Sequence, residues 1–182
     1  MIAALYIDPR GPYVNRPDVD AWDEKRDARK YNGPWPVIAH PPCGPWSALR
    51  HLSRETTADC GVRALEQVHA FGGIVEQPIA SRLFAEYGRA DHLILEVEQV
   101  AWGHVARKRT ALYMHRDLYP LALATKRTGG TPTHWCSGGR TRSSGRGGLV
   151  PPGIKVCSAA QRRRTPPSFA DWLISIAERA KP

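Results

Sequence analysis

Cys43 lies in the run VIAHPPCGPWSALRHLS, residues 37–53. An apolar, strand-like segment passes through two prolines to a thiol and then resumes with helix-forming residues. Proline fixes the backbone torsion, so the sulfur is held on a rigid approach. A helix opening after Pro45 and Trp46 would set its positive end beside the sulfur and favour the thiolate. Position alone leaves two readings open, a nucleophile and a small buried hydrophobe. Glu76 is the second group. It sits at the end of the apolar run GGIVEQP, residues 72–78, where a carboxylate is costly to bury without purpose. If the two segments are neighbouring parallel strands, thiol and carboxyl open onto one cleft. The other reading of Glu76 is a capping or salt-bridge partner. The third group is basic. In WGHVARKRTALY, Arg107, Lys108 and Arg109 feed a strand. They suit phosphate steering or polarisation of a carbonyl oxygen, or they form a solvated turn.

Positioning these groups takes a scaffold. The apolar runs IAALYI, PVIAH, GGIVEQP, LILEVEQV and TALYMH predict buried strands. Helices are expected in DAWDEKRDARKY, from SALRHLS onward, in CGVRALEQVHAF and in IASRLFAEYG. In the third of these, Val62, Leu65, Val68 and Phe71 form one stripe. The alternation predicts an α/β fold: a mostly parallel sheet with helices on both faces. Ligands in such folds sit beyond the carboxyl ends of the strands. Residues 125–164 are rich in Gly, Ser, Thr and Arg and predict a loop that builds no core. The run TPPSFADWLISIAERA predicts a closing helix over about 166–180. Thr165 is its cap, and Phe169, Leu173, Ile176 and Ala177 are its docking stripe.

A length of 182 residues predicts one domain. The net charge of +9, clustered rather than even, favours a polyanionic partner, DNA or a nucleotide. No run approaches the length a bilayer demands. The start MIAALYIDPRG lacks the features of a signal peptide, so a cytoplasmic protein is expected. Cys43, Cys60, Cys136 and Cys157 then stay thiols. His134 and Cys136 are close in sequence, but nothing nearby completes a zinc set, and no metal is expected.

The motif PPCGPWS resembles the catalytic loop of the cytosine-C5 DNA methyltransferases, Pro-Pro-Cys-Gln-Pro-Phe-Ser, with Gly44 for glutamine and Trp46 for phenylalanine. VEQP resembles the family's Glu-Asn-Val strand end. WGHVARKRTALY is similar to its Gly-x-x-Gln-x-Arg-x-Arg segment without the glutamine, and TPPSFADWLISIA to its closing helix. The order is the family's, and short bacteriophage proteins share the layout; a phage protein would work in the host cytoplasm. The resemblance implies a truncated Rossmann-like methyltransferase core. It implies Cys43 as nucleophile, Glu76 at pyrimidine N3, and Arg107 or Lys108 near O2.

Thiolate addition to C6 makes C5 nucleophilic, which explains the residue types. S-adenosylmethionine is the implied methyl donor, with Asp8, Gly11 and Pro41 at its site. The stretch YIDPRGPYV holds only one glycine, Gly11, and no G-x-G-x-x-G. Ser47 and Arg109 are implied contacts to nucleic acid. No large recognition region is present; Arg140, Arg142 and Arg146 are the residues that could grip phosphates in its place. The substrate is then DNA or a free cytosine nucleotide. The alternatives are another pyrimidine-modifying enzyme that attacks C6, and a non-catalytic DNA-binding or host-interaction protein that keeps the fold.

Overall fold

The computed structural model describes residues 1–47, 50–52, 57–136 and 153–181. The strands β1 (Ile2–Leu5), β2 (Val19–Trp22), β3 (Val37–Ala39), β4 (Gly73–Pro78), β5 (His92–Glu98) and β6 (Arg109–His115) form one sheet in the order β2-β1-β3-β4-β6-β5. The first four are mutually parallel, while β6 runs antiparallel to both β4 and β5. The sheet is therefore mostly parallel, with one reversed strand. Every residue of β1 and β3 is buried, as a central parallel strand covered on both faces requires. The edge strand β5 buries only Leu95 and Val97.

Helices cover both faces. On one lie α1 (Ala58–Phe71) and α2 (Leu83–Tyr87), packed on Val37, Ala39, Val75 and Tyr113. On the other, α3 (Tyr119–Thr125) and α5 (Pro167–Ala177) pack on Ile38, Ile74, Leu112 and Met114. The expected stripe of α5 is fully buried, and Ala170, Trp172 and Ile174 widen it. Trp102 stacks against Phe169 and Trp172 with centroids 5.1 and 4.7 Å apart. The arrangement is a mixed α/β fold compatible with a Rossmann-like core.

Two glycines set spacings that the site depends on. Gly73 opens β4 at φ +118°, and a Cβ there would stand 1.9 Å from the Val37 carbonyl oxygen. Only glycine lets β4 lie this close to β3. Gly61 faces Trp46, whose Nε1 lies 2.4 Å from where a Cβ would be. The absent side chain seats the Trp46 indole on α1, and burying a ring of this size contributes about 3 kcal/mol. Trp46 thereby anchors the turn that carries Cys43.

Four expectations are corrected. Residues 20–31 form no helix: they give β2 and a 3-10 turn at Ala28–Lys30. Pairing with the open edge of β1 overrides local propensity, and Asp27 at φ 54° breaks any helical path. No α-helix follows Cys43 directly. A three-residue 3-10 turn, Gly44–Trp46, ends at an extended Ser47, so no aligned helix dipole faces the sulfur. The cap position of α5 is taken by Pro166 rather than Thr165, with no side-chain hydrogen bond.

The stretch 125–164 is also not all loop. It holds β7 (His134–Trp135) paired in parallel with β8 (Lys155–Val156), and α4 (Ala159–Arg163), closed by a Ser158–Gln161 capping box. Arg140, Arg142 and Arg146 lie outside the described residues.

Candidate functional site

The connection from β1 leads to β2 on one side, and the chain then crosses back to β3 on the other. The strand order thus reverses at β1 and β3, the position where open α/β sheets bind ligands at their carboxyl ends. β1 is ended by Tyr6 in the left-handed region, φ 58°, with its hydroxyl bonded to the buried Gln67. β3 continues to His40, whose N–H donates to the Leu5 carbonyl at 3.0 Å, and then enters Pro41, Pro42 and Cys43.

Val37, Ile38 and Ala39 lie beside Gly73, Ile74 and Val75, so the next lateral pair is His40 and Glu76. Side chains alternate along a strand, so both fall on the face of Ile38 and Ile74, under α5. The strand that leads into the Pro-Pro-Cys turn therefore lies beside the strand that carries Glu76. Gln77, pointing the other way, donates to the Pro41 carbonyl at 2.7 Å and ties the turn to β4. The Arg82 N–H bonds the Trp46 carbonyl at 2.9 Å. Cys43 itself is exposed.

Glu76 is the centre of a buried polar chain. Tyr13 Oη and His40 Nε2 are 2.9 Å apart, and His40 Nδ1 lies 3.2 Å from Glu76 Oε2. Gln99 Nε2 donates to Glu76 Oε1 at 3.1 Å, and the Thr110 hydroxyl reaches the same oxygen at 3.3 Å. The Glu76 side chain is 13% exposed. Burial pushes its carboxyl up, but the His40 hydrogen bond, the nearby Lys108 charge and Thr110 outweigh it and hold the pKa at about 2. Burial raises the Tyr13 phenol well above its usual range, and the Glu76 charge adds to this. A neutral His40 that accepts the Tyr13 proton at Nε2 carries its own proton on Nδ1, facing Glu76. An ionised carboxylate has about four acceptor sites. His40 and Gln99 each occupy one, and the Thr110 hydroxyl, whose single proton also reaches the Lys108 carbonyl at 3.1 Å, stands at a third. Gln99 Oε1 is buried with no partner among the described residues.

The basic segment divides. Lys108, at φ 37°, donates Nζ to the Arg164 carbonyl at 3.0 Å and is close enough to lower the Glu76 pKa. Arg107 and Arg109 instead face β5, 3.9 Å from Glu98 and 3.6 Å from Glu96. Arg109 lines a groove of about 310 Å³ with Lys126 and Arg127. This groove lies at the same edge of the sheet, because Pro78 at the end of β4 pairs with Thr110 at the start of β6. The Ser47 hydroxyl donates to the Gly44 carbonyl at 3.3 Å and closes the turn after Cys43. At the end of β1, Asp8 is exposed and accepts from the Arg10 N–H at 2.9 Å, while the Gly11 N–H closes the turn onto the Asp8 carbonyl. Pro41 is buried with its carbonyl occupied by Gln77. Among the described residues no three His, Cys, Asp or Glu side chains gather as metal ligands.

Tyr13, His40, Gln99 and Thr110 escape a reading by motif. Only His40 carries a sequence signal: once Ile38 is aligned with Ile74, it must lie beside Glu76. His104 is also absent from the expected site. Its Nδ1 accepts the Ala106 N–H at 3.0 Å and its Nε2 donates to the Gln161 carbonyl at 2.9 Å, fixing the basic turn against α4. Comparison with known proteins matches the chain to no family model, no curated protein and no solved structure. No helix among the described residues is long and apolar enough to cross a membrane.

Proposed function

We propose that the chain is a compact cytosine-C5 methyltransferase-like enzyme that acts on DNA, or on a free cytosine nucleotide, through Cys43. The observation that supports this reading is the parallel register of β3 and β4: the strand that leads into the exposed Cys43 turn lies beside the strand that carries the ionised Glu76 carboxylate. Cys43 adds to C6 of the pyrimidine and leaves when the C5 proton is lost. Glu76 works as an acceptor. It accepts a hydrogen bond from the exocyclic N4 amino group of cytosine, N3 takes up a proton from solvent as the ring receives the sulfur's electrons, and Lys108 balances charge on the same side.

The net charge of +9 supports a phosphate-bearing substrate; Lys126 and Arg127 line the groove at this edge together with Glu96 and Glu98, which pair with Arg109 and Arg107. A base in duplex DNA must first be flipped out, which costs about a few kcal/mol. S-adenosylmethionine fits the donor set in its chemistry. Asp8 would accept from its hydroxyl or amino groups, the Gly11 turn would let it approach the backbone, and Pro41 would serve only as apolar wall. When bound, it supplies an electrophilic methyl group.

The deciding experiment is covalent capture. 5-Fluorocytosine has no C5 proton to lose, so the bond from sulfur to C6 persists once the methyl group is on the ring. With S-adenosylmethionine present, intact mass spectrometry is expected to show a one-to-one adduct whose fragment maps to Cys43. Absence of any adduct on single-stranded DNA, duplex DNA and cytosine nucleotides would overturn the assignment. The cofactor has its own test. Saturating S-adenosylmethionine or its demethylated product at about 100 times Kd stabilises a native protein by about 2.7 kcal/mol and raises the melting temperature. An unchanged melting curve would remove this donor while sparing the thiol chemistry.

A further inference from the structure

We propose that Cys136 and Cys157 form a redox-active dithiol, which a small-molecule disulfide of the glutathione class converts into an intramolecular disulfide joining the two ends of residues 137–156. The site is separate from Cys43 and does not depend on the catalytic reading.

The sulfurs lie 3.5 Å apart. This proximity comes from the short ladder of β7 and β8. His134 pairs with Lys155 and Trp135 with Val156, so Cys136 and Cys157 are the next lateral pair. The Cys157 N–H donates to the Trp135 carbonyl at 3.0 Å and extends the ladder to that position. Lateral neighbours in a sheet are about 4.8 Å apart, inside the Cα separation of about 4.4–6.8 Å that a disulfide spans. Bond formation therefore needs a change of side-chain rotamer, not of fold. The surroundings hold this geometry. Ser158 begins the capping box of α4, and the Gln161 carbonyl is bound by His104 from the basic turn.

The two thiols differ in access. Cys157 is buried, 4% exposed, whereas Cys136 is half-buried. The order of events follows. The Cys136 thiolate attacks one sulfur of oxidised glutathione, forming a mixed disulfide and releasing one reduced glutathione. The Cys157 thiolate then attacks the Cys136 sulfur and expels the second. The protein loses two electrons and two protons, and the glutathione disulfide is reduced to two thiols. Burial first, and the neighbouring Cys157 second, push the Cys136 thiol up to about 12. Attack by Cys136 therefore accelerates as pH rises, because only the thiolate attacks.

The test uses the full chain equilibrated with oxidised glutathione. The intact mass should fall by two hydrogens, and a tryptic map made without reductant should link the peptides carrying Cys136 and Cys157. Trypsin cleavage at Arg140, Arg142 or Arg146 should leave one covalent species that separates into two only when reductant is added. Cys60→Ser should keep this behaviour and Cys136→Ser should lose it. If Cys136→Ser does not fold, the tryptic map of the unaltered chain decides alone. Mixed glutathione adducts without the two-hydrogen loss, a link from either thiol to Cys43 or Cys60, or full alkylation of both thiols after oxidation would each overturn the proposal.

Discussion

Replacing Cys43 with serine is expected to abolish covalent capture of 5-fluorocytosine DNA and to lower methyl transfer by about 10⁴-fold or more, the scale seen when a nucleophile is removed. A serine hydroxyl is not ionised near neutral pH and is a far weaker nucleophile than a thiolate. His40, the nearest imidazole along the strand, is committed to Tyr13 and Glu76. The fold should survive, because Cys43 is exposed and such substitutions usually change stability by less than about 0.5 kcal/mol. Trp46, Gln77 and Arg82 hold the turn. The measurements are incorporation of labelled methyl groups and DNA affinity by anisotropy, with the melting temperature as control. Lost methyl transfer with unchanged affinity is the expected pair. Methyl transfer that persists in the serine variant would remove Cys43 from the mechanism. A wild-type protein that binds DNA without ever forming an adduct would establish the non-catalytic reading.

Glu76→Gln should change the dependence of stability on pH as well as the chemistry. The Glu76 carboxyl falls from an ordinary value of 4.5 to about 2 in the folded chain. A lowered carboxyl pKa stabilises the fold above the unfolded value, and that stability is lost as pH falls through the folded value. The window is therefore 4.5 down to about 2. Its size is about 3 kcal/mol at 1.36 kcal/mol per pKa unit. Glutamine has no such titration, and its amide hydrogens would face the donors of His40, Gln99 and Thr110. At pH 7 the variant should be less stable in urea by about 3 kcal/mol, and the gap should close as pH falls through that window. A gap that stays constant across it would show that the carboxylate is not held ionised by this network. Methyl transfer should fall by about 10²–10³-fold, as for loss of one preorganised electrostatic partner. Tyr13→Phe, which leaves Glu76 in place, should show a smaller loss of both.

The strands that carry the site could be read from the sequence because each is a short apolar run between breakers. IAALYI, PVIAH and GGIVEQP were bounded by Pro, Gly or a charged residue, and they appear as β1, β3 and β4. The closing helix was legible from its stripe and from the prolines that open its first turn. Residues 20–31 were not. Their polarity suits a surface helix, and only the free edge of β1 makes Val19–Trp22 a strand. The 3-10 turn that follows Cys43 directly was equally hidden, since Trp46 takes its place from packing against Gly61 of α1.

The sequence by itself determined which groups are available: a thiol behind two prolines, a carboxylate ending an apolar strand, and a basic turn before the next strand. Each of these is a local pattern. The tertiary structure alone decided what surrounds them. The parallel register of β3 and β4 sets His40 beside Glu76. The loop after β1 brings Tyr13 onto that imidazole. The reversed strand β6 brings Thr110 to the same carboxylate, and Gln99, at the end of β5, joins them. The sign of the Glu76 shift depends on these long-range hydrogen bonds, which must outweigh burial, and no local pattern encodes them. The pairing of Cys136 with Cys157 has the same origin: two strands of two residues each, far apart in sequence, meet only because the sheet ladder forms between them.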